Sequence, residues 1–467
     1  MAAVCATAFL VGGGSGGKEN IFIDVSDYAG AEPGVNVLVG EVEDLADILI
    51  LPEAAESAVS DVESTPTESV SEVISFPESV SEVISFPESV SVPDRQDNIY
   101  DFVEDMVNPG DTEIIENSQA VSAAVRVESI AEPVIESASE STLVRLGFAG
   151  DINFDEEWPT TKYMDEKGGI ENVFSENLLE LMRGFDIFML NNEFTYSTRG
   201  EQVDKTYHFR ADPSRVSNLD ILGVDLVLLA NNHVFDYGED ALLDTLDTLE
   251  DAGIPYVGAG RNLEEAMKPC IFEINGRKIA YVAASSAEEY TPSIATRAAT
   301  EDESGILDCY DPERFLQVIR DASETADYVI ANVHWGMEYD YHYYENQRDL
   351  AERMVEAGAD AIIGTHTHCL QGINFIDHVP VFYSLGNYWF NEKNLYTGLA
   401  ELTLDVPENP EQPVTLVSTR FYPCTQYSLY TQMPTYNRAR YKILRFLEDL
   451  SDDSVTIDDE GYVHEAA

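Results

Sequence analysis

Leu226-Val227-Leu228-Leu229-Ala230-Asn231-Asn232-His233, continuing Val234-Phe235-Asp236-Tyr237-Gly238, decides how this chain is read. Five apolar residues have the pattern of a buried strand and stop at two amides and an imidazole. The same pattern occurs four more times. The run 143–149 ends in Gly150-Asp151, and 187–190 ends in Asn191-Asn192-Glu193. The run 328–333 ends in His334-Trp335-Gly336, and 361–364 ends in Thr365-His366-Thr367-His368. In an open α/β sheet the carboxyl ends of the strands line one edge, and ligands bind there. Asp151, Glu193, Asn232, His334, His366 and His368 are therefore expected to meet in one pocket. This N/O set suits a divalent ion such as Zn, Mn or Fe better than thiolate-seeking metals or Ca. A metal-centred site follows, most simply a hydrolytic one.

Around these runs, strands alternate with helices. Asp212-Pro213 is an N-cap followed by Pro at the first helical position, predicting a helix to about Leu222. Asp311-Pro312 repeats the signal for a helix to about Thr325. The stretch 240–252 is amphipathic, with Leu242, Leu243, Leu246 and Leu249 on one face, and Gly253 stops it. Asn275-Gly276 joins 270–274 to 278–283 as a hairpin. Further strands are expected at 379–385, 398–404 and 414–421. The fold class is layered α/β with mixed sheets.

The 467 residues carry a net charge of −61. Before residue 143 there are 29 acids against 3 bases, and after it 58 against 23. No basic footprint for nucleic acid or anionic lipid exists anywhere in the chain. Residues 13–142 read as a disordered acidic linker rich in Pro, Ser and Val. Within it Glu68-Ser-Val-Ser-Glu-Val-Ile-Ser-Phe-Pro77 repeats identically at 78–87 and partially from Glu88. The globular domain is expected at 143–446, with a mobile acidic tail at 447–467. Residues 2–11 match a signal-peptide h-region in size but lack a basic n-region. They read either as the remnant of a signal or anchor or as a simple apolar end. The five cysteines show no CxxC spacing, which argues against a disulfide framework. Cys369, beside His368, reads as a buried thiol rather than a ligand.

Asp236 lies three residues after His233 and can reach back to orient the imidazole. That makes His233 and Asp236 the catalytic pair, with His233 donating a proton to a leaving oxygen. In extended chain, the spacing His366-x-His368 would put both imidazoles on one side. Asn153, Glu338 and the turn Ser384-Leu385-Gly386-Asn387 stand as supporting or substrate-facing groups.

Gly150-Asp151, Asn191-Asn192-Glu193, Phe209-Arg210-Ala211-Asp212-Pro213, 229–238, His334-Trp335-Gly336-Met337-Glu338-Tyr339, 364–371 and Tyr383-Ser384-Leu385-Gly386-Asn387 occur in an order that resembles the CapA family, the bacterial capsule or poly-γ-glutamate synthesis proteins. The resemblance spans roughly 145–425. It implies a calcineurin-like metallophosphatase fold, an α/β/β/α sandwich with one or two divalent ions. It also implies a part in making, exporting or anchoring an anionic surface polymer, with a membrane polymer-synthesis or export complex as partner and a cell-surface or extracellular location. Two departures bear on the site. The metallophosphatase Asp-x-His is here Asp151-Ile152-Asn153, and Glu193 stands where a bridging Asp is usual. Losing an imidazole should weaken one of two metal positions. The alternatives are a metal-dependent phosphoesterase of another substrate, or a non-catalytic surface component with a vestigial site.

Overall fold

A computed structural model describes residues 8–11, 19–24, 36–42, 141–287 and 297–466. The chain divides into two units, Met1–Pro93 and Asp94–Ala467. In the first, Ala8–Val11, Glu19–Asp24 and Asn36–Val42 form a three-stranded antiparallel sheet. Two of these strands fall within the stretch read as linker; the ten-residue repeat lies outside the described residues.

The second unit is built on two sheets. One runs Val455–Ile457, Tyr462–Glu465, Thr415–Tyr427, Leu395–Pro407, Ser141–Ile152, Ile187–Asn192, Leu226–Leu228, Tyr256–Val257, with Asn387–Trp389 also on Ser141–Ile152. The other runs Cys270–Ile274, Arg277–Ser285, Tyr328–His334, Ala361–Thr365, Val379–Phe382, Ile373–Ile376. Both are mixed. The strands that end in the polar residues pair in parallel: Ser141–Ile152 with Ile187–Asn192, the latter with Leu226–Leu228, and Tyr328–His334 with Ala361–Thr365.

Period-two alternation explains the layering. Leu146 and Phe148, Ile187 and Met189, Leu226 and Leu228, Ile279 and Tyr281, and Tyr328 and Ile330 all pack into one core between the sheets. Their neighbours face outward. Phe188, Leu190, Val227 and Leu229 meet Leu242, Leu246 and Leu249 of the helix Gly238–Ala252. Ala280, Val282, Val329 and Ala331 meet Phe315, Ile319 and Met354 of the helices Glu313–Ser323 and Glu345–Glu356. Each fully buried Leu or Phe is worth about 1.5–3 kcal/mol, so the alternation specifies register strongly. The result is the expected α/β/β/α order.

Local signals act as read. Asp212 accepts from the Ser214 N–H and opens a short 3₁₀ turn that continues as Ser217–Leu222. Asn275 and Gly276 both adopt positive φ, 56° and 73°, as a two-residue hairpin turn requires. The tail differs from expectation. Leu447 belongs to the helix Asn437–Leu450, and Val455, Ile457 and Val463 are buried in the inter-sheet core through the strands Val455–Ile457 and Tyr462–Glu465. Its acids occupy turns and outward positions, so acidity there marks solvent-facing residues of folded strands. Among the described residues no helix is long and apolar enough to cross a membrane.

Candidate functional site

The parallel strands of both sheets deliver their carboxyl ends to one place. Asp151 pairs in register with Asn191, and the Asn191 amide donates to Asp151 Oδ1 at 2.8 Å and to Glu193 Oε2 at 3.1 Å. The Asn231 amide in turn donates to Asn191 Oδ1 at 3.0 Å. One amide thus holds two carboxylates, and a second holds the first.

Two groups of ligand-type atoms form here, each with all atoms within 4.8 Å of one another: Glu193, His334 and His366; and Asp151, Glu193 and His368. Glu193 belongs to both. Asn232 joins the first group, its Oδ1 lying 2.8 Å from His334 Nε2, and His366 Nδ1 lies 3.0 Å from the same nitrogen. In the second group His368 Nδ1 is 3.2 Å from Asp151 Oδ2. All six residues expected at the site are thus brought together and buried.

The two imidazoles of His366-x-His368 arrive by a different route from the one expected. The strand ends at Thr365, and His366 and His368 take φ of 96° and 56°. Such left-handed conformations cost non-glycine residues about 1–3 kcal/mol each and are held in place by their surroundings. They send one ring to each group, with ring centroids 6.3 Å apart. Thr367 pins the turn, its hydroxyl engaging the Cys369 carbonyl and Ser384 Oγ, each at 2.8 Å. The Cys369 thiol is buried and stands in neither ligand group.

The electrostatics suit a cation. Burial pushes the Glu193 carboxyl well above the usual carboxylate range, and the Asp151 charge pushes it further. Burial, the largest single influence, would raise Asp151, but His368, His334 and the Asn191 amide together hold that carboxyl below its ordinary value. Burial lowers His334 to about 3 and His366 well below its usual value, so both rings are neutral and carry a ligating lone pair. Glu193 Oε1 is buried with no hydrogen bond among the described residues. Such an orphaned oxygen is costly unless a bound group satisfies it. The residues therefore fit a divalent ion.

Beside the first group, His233 Nδ1 sits 2.6 Å from Asp236 Oδ2. Asp236 is fixed three ways. It accepts from the Phe209 N–H at 2.7 Å, its other oxygen lies 3.1 Å from Lys205 Nζ, and burial pushes it up to about 7. Lys205 also donates to the Asn232 carbonyl at 2.8 Å. Aromatic rings pack on two of the imidazoles: the Phe209 and His233 ring centroids are 4.4 Å apart, as are those of Phe390 and His368.

Two of the supporting or substrate-facing residues stand outside the ligand groups. Glu338 is exposed on the loop after His334, outside both ligand groups. Asn153 turns its Oδ1 to the Asp155 N–H at 2.8 Å. Asn387 is fully buried in register with Asp151. Sequence reading passed over Lys205, which lies in an irregular polar loop with no pattern to mark it. It also left Asn191 and Asn231 without roles, although their strand-end position was the available signal.

The sequence matches known proteins over much of this region. The model of the family "Bacterial capsule synthesis protein PGA_cap" matches residues 145–392, just over half of the chain. The PGA biosynthesis protein CapA of Bacillus subtilis is 32% identical over 56% of this chain and 66% of its own length. The capsule biosynthesis protein CapA of Bacillus anthracis is 35% identical over 41% of this chain and 46% of its own. A probable polyglutamine synthesis accessory protein of Mycobacterium tuberculosis is 30% identical over 43% and 55%. The chain thus spans from about half to just under two thirds of these relatives. Likeness to solved structures is slight; a 5′-nucleotidase from Candida albicans aligns over 60% of this chain and 52% of its own with a TM-score of 0.31, too low to bear on activity. The chain belongs to the bacterial capsule synthesis protein family PGA_cap.

Proposed function

We propose that this protein takes part in the synthesis, export or anchoring of a capsular polymer such as poly-γ-glutamate at the cell surface, through a site that holds one or two divalent ions. The observation that carries the metal reading is Glu193 Oε1: buried, unbonded, and common to two groups of ligand atoms. Glu193, Asn232, His334 and His366 would hold one ion, and Asp151, Glu193 and His368 another; Mn, Zn and Fe suit the donors. A bound ion polarises a phosphoryl or acyl oxygen and lowers the pKa of bound water. His233 then serves as proton donor to a leaving oxygen, its tautomer set by Asp236, which supports a hydrolytic step on a phosphoester or an acyl bond. Lys205 and the ions offset the net charge of −61 locally, and salt screens the remainder over about 10 Å at 0.1 M, so an anionic substrate can approach.

The test is complementation. In a strain lacking this gene, the wild-type chain restores surface polymer and His366→Ala does not. Elemental analysis of both purified proteins accompanies the assay. Full rescue by a His366→Ala chain that has lost its metal would remove the metal from the function.

A further inference from the structure

We propose that Asn387 supplies a neutral oxygen ligand to the ion held by Asp151, Glu193 and His368. The inference rests on the metal reading above.

That group is short of a donor. Asn153, at the place where an imidazole would be expected, does not fill the gap. Its Oδ1 takes the Asp155 N–H at 2.8 Å, and its Nδ2 has no partner among the described residues. Flipping the amide would set N–H against N–H, so the oxygen is committed and only a non-ligating NH₂ remains.

Asn387 is placed differently. The strand Asn387–Trp389 pairs in parallel with Ser141–Ile152, with Asn387 opposite Asp151. Paired residues on neighbouring strands project from the same face of a sheet, and although the register shifts just after Asn387 and just before Asp151, the Asn387–Asp151 pair itself is kept. Asn191, the register partner on the other flank, illustrates this, since its amide reaches Asp151 Oδ1. Asp151 is therefore flanked by two amides. One is fully engaged. The other, Asn387, is 0% exposed, and neither its Oδ1 nor its Nδ2 has a hydrogen-bond partner among the described residues. An unmet buried polar atom costs about 1–3 kcal/mol, and here two sit on one side chain.

The backbone is shaped to make this juxtaposition. Asp151 N–H donates to the Gly386 carbonyl at 2.9 Å. A Cβ on Gly150 would lie 1.8 Å from that carbonyl oxygen. Gly386 has φ of 65°, and a Cβ there would meet the Cys369 backbone at 2.7 Å. Two glycines thus bring together the segments that carry Asp151, Asn387 and His368. An amide oxygen is a hard neutral donor suited to a divalent ion, and Asn232 stands in the equivalent role beside His334 and His366. With Asn387 included, each group has carboxylate, imidazole and amide oxygen.

The experiment titrates the metal-free full-length chain with Mn²⁺, following heat and bound-ion stoichiometry, with circular dichroism as the check on folding. The wild type is expected to bind two ions. Asn387→Ala should weaken one of them about tenfold or more and leave the other unchanged, whereas His366→Ala removes the other. Asn387→Asp, which adds charge at the same place, should tighten the affected ion, and it carries the test if the alanine variant fails to fold. Two ions with unaltered affinities in both Asn387 variants would overturn the assignment while leaving the metal site intact. One wild-type ion, indifferent to both changes, would overturn it as well. A wild type that binds no Mn²⁺ would overturn this inference and the metal reading together.

Discussion

The two ligand groups that meet at Glu193 are unequal. On one side Asn232, His334 and His366 come from three strand ends and lie within about a hydrogen bond of each other, His334 Nε2 touching both neighbours. On the other side Asp151 and His368 stand with an asparagine, Asn153, where an imidazole would be expected, and its oxygen is turned away. The difference teaches where the fold concentrates its binding. The imidazole-rich side draws on both sheets, so its geometry is set by the packing of the whole sandwich. The aspartate side draws on both sheets too, through Asp151 and His368, and adds glycines that let backbones touch, while the turn of positive φ serves His366 and His368 alike.

Removing the shared residue should erase the comparison. Glu193→Ala takes a ligand from both groups and leaves Asp151 without its partner across the site. Elemental analysis is expected to find neither ion retained after gel filtration. Retention of one ion at wild-type affinity would mean that the two groups do not share a bridge.

The next effect concerns chemistry rather than binding. His233→Ala is expected to lower turnover about 10²–10⁴-fold with metal content unchanged, because His233 follows the ligand Asn232 but bonds Asp236 instead. A variant that loses the ion would make His233 a ligand. A variant with unaltered turnover would leave the pair a packing feature.

A paired substitution sharpens the inequality itself. His366→Ala and His368→Ala each remove one imidazole from one side. Even loss of a group that only supports a metal ligand costs about 10–100-fold in affinity, so loss of a ligand itself should cost at least as much. The first should release the tighter ion and the second the weaker, so a competition titration with a chelator is expected to show the larger absolute loss for His366→Ala. Equal losses would break the ranking of the two positions.

Much of this was legible in the sequence because the signals are local. A run of alternating or continuous apolar residues ending in a polar group names both the strand and the edge it feeds, and Asn275-Gly276 names its own turn. His233 and Asp236 are three residues apart, so their bond needs no tertiary information. The tail 447–467 was misread because its acids outnumber its core residues, yet Val455, Ile457 and Val463 suffice to seat two strands. Lys205 was invisible because its partners Asp236 and Asn232 are about 30 positions away across an irregular loop. The turn at His366 and His368 was invisible because their φ values are imposed by contacts with the segment at Ser384 rather than by residue type.

The smallest effect is a pH dependence that the ion should alter. Burial holds Asp236 up at about 7 and Glu193 well above its usual range. Such acids keep their protons in the folded state when the unfolded chain has lost them, so stability falls as pH rises through that window. Burial holds His334 at about 3 and His366 well below its usual value. These do the reverse, and stability rises with pH until the unfolded imidazoles are neutral at about 6.5. Between about pH 4.5 and 6.5 the two pairs oppose each other. Above that only the acids titrate, so the metal-free chain is expected to lose stability from about pH 6.5, through Asp236 only to about pH 7 and through Glu193 beyond it, at no more than about 1.4 kcal/mol per pH unit for each acid. A bound ion requires Glu193 ionised, which removes its share and leaves the slope to Asp236 alone. Unfolding curves between about pH 6 and 8, with a chelator and with Mn²⁺, measure both slopes. A smaller slope with Mn²⁺ ties Glu193 to the ion. Identical slopes would mean that the ion binds without the carboxylate on which both groups were taken to converge.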